Sequence, residues 1–295
     1  MRAEPTFLIC VGATKASTSW LFDYLAAHRD CHLRSIKELH YFDMIYRGNY
    51  DRYIRGLARQ VARLSSALPG LTGRRAALFR RKLRDVQDWQ AIVEARCADL
   101  PAYRAYLTEG LGDARLVADV TPGYALLPEG SFRGMAEVGQ DSRLLYLLRD
   151  PVARLWSHAR MIARRRVADM ADFAGAARAE ALAMIDRIGA GATDREDYAG
   201  TITRLNAAVD PRRLYVEFSE RLLTSPGLSR LCRWLGIAET EADFSRRVLE
   251  GAPLALPGDL RARALVALRP QYDFVARQFP DLPDNWRKTL NEVHA

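Results

Sequence analysis

Three short segments of this 295-residue chain carry side chains that together could hold an anion and move a proton. The first is Gly12-Ala-Thr-Lys-Ala-Ser-Thr-Ser-Trp20, where Lys15 is followed by the hydroxyls of Ser17, Thr18 and Ser19. Lys15 stands out because only Lys15, Lys37, Lys82 and Lys288 are lysines among 44 basic residues. Lysine offers a compact, mobile point charge that arginine does not. The second segment is Lys37-Glu-Leu-His-Tyr-Phe-Asp43. Glu38 and His40 are both capable of general base work, and they share one face if the segment is extended. Asp43 could orient either group or bind substrate. The third is Arg149-Asp150-Pro151, at the end of an apolar run. A guanidinium can grip phosphate with two hydrogen bonds.

The elements needed to position these residues are legible. Residues 6–11 are apolar and β-rich, which predicts a buried strand ending at Gly12. Residues 17–27 then predict a helix with hydroxyl residues at its start and Trp20, Leu21, Tyr24 and Leu25 on one face. Backbone N–H groups at such a helix start form an anion site. Further strands are predicted at 115–120, 143–148 and 213–218. After the second of these, Asp150 caps a helix and Pro151 occupies its first turn. A short helix at 228–235 closes at Gly236. Residues 50–106 predict basic helices, broken at Leu68-Pro-Gly-Leu-Thr-Gly73. Alternating strands and helices predict an α/β fold, with a central, mainly parallel sheet between helical layers. One domain over 1–295 is expected, with a helical insertion at about 47–112 and a less well matched segment at about 238–295.

Composition narrows the function. No stretch of roughly 18 apolar residues supports a membrane span. The apolar run from Phe7 to Val11 is too short for a secretory signal, so a cytoplasmic protein is expected. Cys10, Cys31, Cys97 and Cys232 are scattered without a C-x-x-C pair, which predicts free thiols and no zinc site. The net charge of +8 suggests an anionic partner. Nucleic acid is not expected, because no aromatic–basic motif or zinc finger is present. The loop at Lys15 also fails the nucleotide-triphosphatase pattern G-x-x-x-x-G-K-[ST], since its lysine precedes the hydroxyls. An ATPase or kinase is therefore disfavoured.

The motifs resemble one family in order along the chain. Lys15-Ala-Ser-Thr-Ser-Trp-Leu21 resembles the 5'-phosphosulfate loop of sulfotransferases that use 3'-phosphoadenosine-5'-phosphosulfate (PAPS), close to K-x-G-T-[TS]-W-L. Ser17 stands at the usual glycine. The segment from Lys37 to Asp43 resembles K-E-x-H-F-F-D of heparan sulfate sulfotransferases and many bacterial relatives. Ala118-Asp-Val-Thr-Pro-Gly-Tyr124 is similar to their E-K-T-P-x-Y, with Val120 at the lysine. The run from Arg143 to Met161 resembles their 3'-phosphate segment, which puts Arg149 and Ser157 on that phosphate. Tyr198 resembles a tyrosine near the cofactor phosphate. Leu214 to Leu222 and Trp234-Leu-Gly-Ile237 are similar to the family's late strand and helix.

The resemblance implies a P-loop-like three-layer fold and PAPS as donor, with adenosine 3',5'-bisphosphate (PAP) as product and no metal. Cofactor contacts fall on Lys15, Ala16, Ser17, Thr18, Ser19, Trp20, Arg149, Ser157 and Tyr198. Glu38 is implied as general base, with His40 as the alternative and Asp43 in support. Lys15 neutralises charge on the leaving group. Trp20 either stacks on adenine or belongs to the core. Arg149 could equally be a plain strand-end salt bridge, and His40 a packed histidine. His28, His32 and His294 are read as structural or surface residues, and His158 as facing away from the site. Arg261 and Arg263 are read as surface charges. Arg52, Arg55, Arg59 and Arg63 form either a solvated helix face or a contact for an acidic substrate or an anionic membrane. The acceptor is expected to be a small molecule, glycan or lipid headgroup. A PAP-binding protein without turnover, and a phosphotransferase, are the competing readings.

Overall fold

The structure, a computed structural model, describes residues 4–246 and 253–294, with side chains through residue 292. The side chain of His294 and the first three residues of the N-terminus lie outside the described set.

The core is a sheet whose strands are apolar on both faces. Strand β1 (Thr6–Gly12) is buried from Phe7 onward and leads into helix α1 (Thr18–Ala27). A two-residue strand β2 (Cys31–His32) and a short helix α2 (Tyr41–Arg47) follow. The basic region folds into α3 (Tyr50–Ala67), α4 (Gly73–Glu94) and α5 (Leu100–Thr108). Next come the wholly buried strand β3 (Leu116–Val120), α6 (Glu129–Ala136) and strand β4 (Ser142–Leu148). Helices α7 (Pro151–Arg166), α8 (Phe173–Gly189) and α9 (Tyr198–Ala208) precede strand β5 (Leu214–Phe218). The chain ends in α10 (Ser219–Leu222), α11 (Ser225–Leu235), α12 (Gly258–Gln278) and α13 (Asp284–His294).

All five strands are parallel, in the order β2-β3-β1-β4-β5. Near-continuous apolar runs such as Phe7–Val11 suit a parallel sheet that helices cover on both faces. Central β1 pairs Leu8 with Ala118 of β3 on one side and with Arg143 of β4 on the other. After β1 the chain moves to the β2 edge, whereas after β4 it moves to the β5 edge. The two paths diverge between β1 and β4, and the crevice at their carboxyl ends is where such sheets bind ligands. The loops that carry Lys15 and Arg149 start at those two strand ends.

Several local features match the sequence. Asp150 accepts from the backbone N–H of Ala153 as the N-cap of α7, with Pro151 in the first turn. Gly236 closes α11 in the left-handed region. Helix α11 begins three residues before the predicted start, because Thr224 accepts from Gly227 N and Pro226 fills the first turn. The described thiols are unpaired. Arg52, Arg55, Arg59 and Arg63 are exposed along α3, while Leu57 and Leu64 turn inward. No helix among the described residues is long and apolar enough to cross a membrane.

Other features differ from expectation. Residues 37–43 are not extended: Glu38 and His40 adopt φ of 67° and 58°, and α2 begins at Tyr41. The last two helices, α12 and α13, pack into the core. Trp286 is fully buried, and Tyr272 on α12 donates to Asp150 Oδ2 at 2.7 Å.

Candidate active site

The loop after β1 is shaped by close packing. A Cβ at Gly12 would stand 2.8 Å from Tyr146 Cε2, so only glycine lets the loop leave the sheet there. Lys15 and Ser17 then take φ of 71° and 59°, a left-handed geometry that costs an ordinary residue roughly 1–2 kcal/mol. Among the described residues five non-glycines hold positive φ, and four of them are Lys15, Ser17, Glu38 and His40. Such strain tends to collect where function over-determines the backbone.

Ser17 is the N-cap of α1, yet its side chain makes no cap hydrogen bond. The first-turn N–H groups of α1, from Thr18 onward, have no carbonyl four residues back within the helix. Ala16 is fully buried and its N–H donates to Ala13 O at 3.1 Å. Thr18 is buried and Ser19 half-buried. Trp20 is 6% exposed, stacks on Tyr24 and Phe244, and donates Nε1–H to Asp243 O at 3.0 Å. These are the contacts of a core tryptophan at the edge of the loop.

Arg149 leaves the end of β4 and donates from Nη1 to Lys15 O at 3.0 Å. The two predicted phosphate residues from separate strands are therefore in direct contact. Burial first, and then the charges of Arg149, Arg160, Arg165 and Lys37, lower the pKa of Lys15. The charges that act on it most strongly are all cationic, as a polyanion site requires. Ser157 lies on α7, two turns in, and is 7% exposed. Tyr198 is fully buried, and its hydroxyl donates to Arg149 O at 2.7 Å, at the end of β4.

The second cluster gathers Glu38, His40 and Asp43. Although the segment is not extended, His40 Nδ1 lies 2.6 Å from Asp43 Oδ2 and Nε2 lies 3.7 Å from Glu38 Oε2. Lys37 Nζ donates to Glu38 Oε1 at 2.6 Å. Burial opposes the charge on His40, but the hydrogen bonds to Asp43 and Glu38 outweigh it and raise its pKa to about 9. Burial likewise opposes the charge on Glu38, while His40 and Lys37 overcome it and lower its pKa to about 2. Gly123, just beyond β3, makes the arrangement possible. A Cβ there would lie 3.1 Å from Asp43 Oδ2 and 3.3 Å from His40 Cε1. Below this cluster, buried Asp119 accepts from Tyr103, Thr121 and Tyr124 at 2.6–2.8 Å. Val120, at the end of β3, is buried and apolar.

Two solved structures share this architecture. A sulfotransferase from Alicyclobacillus acidocaldarius superposes with a TM-score of 0.61 and 20% identity, covering 97% of this chain and 100% of that one. The sulfotransferase domain of the Synechococcus PCC 7002 olefin synthase gives 0.54 and 17% identity, covering 95% and 96%. The fold is that of the sulfotransferases. No protein-family model matches the chain, and no curated protein matches it by sequence.

Within this sulfotransferase fold the structure adds residues that sequence reading passed over. Lys37 joins the site through Glu38 and through its effect on Lys15. The scarcity of lysine that marked Lys15 marks Lys37 as well. His158 is buried, and burial, then Arg154 and Arg195, push its pKa down to about 3. Arg195 donates to Thr14 Oγ1 in the loop. No local pattern announces a contact across 181 residues. Arg261 and Arg263 pair with Glu292 and Asp186 at the surface. His28 is structural, with Nε2 2.8 Å from Ala238 O.

Proposed function

We propose that this chain is a PAPS-dependent sulfotransferase acting on a hydroxyl or amine of a lipid headgroup, glycan or small metabolite, without a metal. The observation that carries the reading is the contact of Arg149 with the Lys15 carbonyl, with cations dominating the field at Lys15. A nucleotide with charged groups at its 3' and 5' positions fits that donor set. Lys15, the hydroxyls of Ser17, Thr18 and Ser19, and the first-turn N–H groups of α1 would hold the 5' end. Arg149 and Ser157 would hold the 3'-phosphate. Bound there, PAPS supplies a sulfuryl group whose leaving group is the 5'-phosphate of PAP.

This chain's own work is then positioning and charge. Lys15 neutralises negative charge near the leaving phosphate. Glu38 takes the acceptor's proton. His40 is protonated at neutral pH and so cannot accept that proton; it balances the Glu38 charge, and Asp43 fixes its ring. Lys37 holds the other oxygen of Glu38. For Glu38 to accept a proton at its ordinary strength, one of its two cationic partners must turn away as acceptor binds.

The test is calorimetry with PAP, followed by PAP release from PAPS in the presence of candidate acceptors. Absence of PAP binding sinks the reading. PAP binding with no release for any acceptor class favours the second reading, a binding protein without turnover. That alternative draws its support from Ser17 and Val120 at the family's glycine and lysine positions. A cytoplasmic protein that docks transiently on anionic membrane fits the exposed arginines of α3. Sedimentation with phosphatidylglycerol vesicles, against neutral vesicles, tests that contact.

A further inference from the structure

Four consecutive residues at the start of α9 reach four separate places. Arg195 donates from Nη1 to Thr14 Oγ1, one residue before Lys15. Glu196 is buried and accepts from Arg154 Nη2 on α7 at 2.5 Å. Asp197 caps α9 by accepting from Gly200 N at 2.8 Å. Tyr198 donates to Arg149 O at 2.7 Å. One turn of chain is thus tied to the loop after β1 and to the strand end after β4.

The anchoring explains why Arg195 points where it does. Glu196 and Arg154 are a buried ion pair, which resists separation because either partner alone would be a stranded charge. Asp197 and Tyr198 fix the next two residues. Arg195 is left to project toward the loop, half-buried, with a neutral hydroxyl as its partner. A guanidinium carries five N–H donors, so one bond to Thr14 leaves most of them over. Its surroundings are cationic as well. Fully buried Arg154 keeps Nε and Nη1 without a hydrogen-bond partner, as does Nδ1 of buried His158. Charges of Arg154, Arg195 and Lys15 all act on His158 and help keep it neutral.

We propose that Arg195 is a further anion-binding residue, contacting the phosphosulfate end of the donor nucleotide beside Lys15. The inference rests on the PAPS reading above and adds a residue to it. Thr14 holds the guanidinium ready, and the segment 195–198 couples that contact to the position of Arg149.

Calorimetric titrations with PAP, adenosine 5'-monophosphate and adenosine 3'-monophosphate test it, using wild type, Arg195→Ala, Arg195→Lys and Arg195→Gln. A charge-assisted hydrogen bond to phosphate predicts a loss of about 10- to 100-fold for PAP and the 5'-nucleotide in Arg195→Ala. The 3'-nucleotide should change by less than about twofold, and Arg195→Lys should recover part of the loss. Arg195→Gln keeps a donor for Thr14 without the charge, so it separates a folding defect from a lost phosphate contact. Unchanged PAP affinity in both Arg195→Ala and Arg195→Gln overturns the inference and leaves the PAPS reading intact. Equal losses for the 3'- and 5'-nucleotides overturn it too, since Arg195 then only braces the fold. If wild type binds none of the three nucleotides, the PAPS reading falls and the inference with it.

Discussion

His40 is held at Nδ1 by Asp43 Oδ2, 2.6 Å away, while its Nε2 stands 3.7 Å from Glu38 Oε2. One carboxylate orients the ring and the other shares its charge. At neutral pH the cluster is therefore an ionised Glu38 beside a protonated His40.

That charge state sets a pH dependence. A rate that needs protonated His40 stays level through pH 6.5, where an unpaired histidine would titrate, and falls as pH rises through about 9. Asp43→Asn removes the hydrogen-bonded carboxylate, so the alkaline limb should move down toward 6.5. The kcat/KM profile of both proteins checks this. An alkaline limb that stays near 9 in the variant would show that Asp43 does not set the His40 charge.

Stability follows the same groups with a sign for each. His40 has a raised pKa in the fold, so its contribution is complete below 6.5 and is lost as pH rises through about 9. Glu38 has a lowered pKa, so its contribution is complete above 4.5 and is lost as pH falls through about 2. Thermal melting of wild type, Glu38→Gln and His40→Ala across pH checks both limbs. In His40→Ala the alkaline loss should disappear.

Gly123→Ala probes the same cluster from the side. The added Cβ would press on Asp43 Oδ2 and His40 Cε1 at 3.1 and 3.3 Å. Shifts of a few tenths of an ångström should lower kcat by roughly tenfold through misplaced proton-transfer groups. PAP affinity should hold, because the added Cβ would meet Asp43 and His40 and not the residues assigned to the nucleotide. A drop in PAP affinity equal to the drop in kcat would place Gly123 in the donor site instead.

The sheet was legible because its signals are local. Phe7–Val11 and Leu144–Leu148 are apolar runs ending at a glycine or at a cap-and-proline pair, and the strands formed there. The two residues of β2 are too few to carry a period. Helix α2 was missed because Glu38 and His40 turn left-handed, which no propensity for glutamate or histidine suggests. Lys15, Glu38, His40, Asp43, Arg149 and Ser157 could be picked out by residue type, spacing and resemblance. Their supports could not. Tyr198 could be named but not its bond to Arg149, and like Arg195 on Thr14 and Tyr272 on Asp150 that bond joins residues 49 to 181 positions apart. Such pairings are fixed by the folded topology rather than by any window of sequence.

Tyr198→Phe measures one of those supports. It leaves the part-buried Arg149 carbonyl without its 2.7 Å donor. Loss of one such bond costs about 0.5–1.5 kcal/mol, which denaturant unfolding would read as a lowered midpoint with unchanged slope. Since the same bond braces Arg149, PAP affinity should fall as well. Lost stability with full PAP affinity would mean that Arg149 keeps its place without Tyr198.

Ser17→Gly addresses the point where this chain departs from the family pattern. Ser17 sits at φ 59°, ψ 14° as the N-cap of α1, and its side chain makes no cap hydrogen bond. Glycine there relieves left-handed strain of roughly 1–2 kcal/mol. It gives back roughly 0.5–1 kcal/mol through the greater freedom of the unfolded chain. The variant should therefore gain up to about 1.5 kcal/mol in unfolding free energy, with no cap bond forfeited. Nucleotide binding separates two roles for the serine. If its hydroxyl contacts the 5'-phosphate, PAP affinity should fall by about fivefold or more even as stability rises, as loss of one such bond implies. If the Cβ only narrows the loop, stability and PAP affinity should rise together. Calorimetry beside denaturant unfolding reads both quantities on one protein. A variant less stable than wild type would contradict the left-handed strain from which both expectations start.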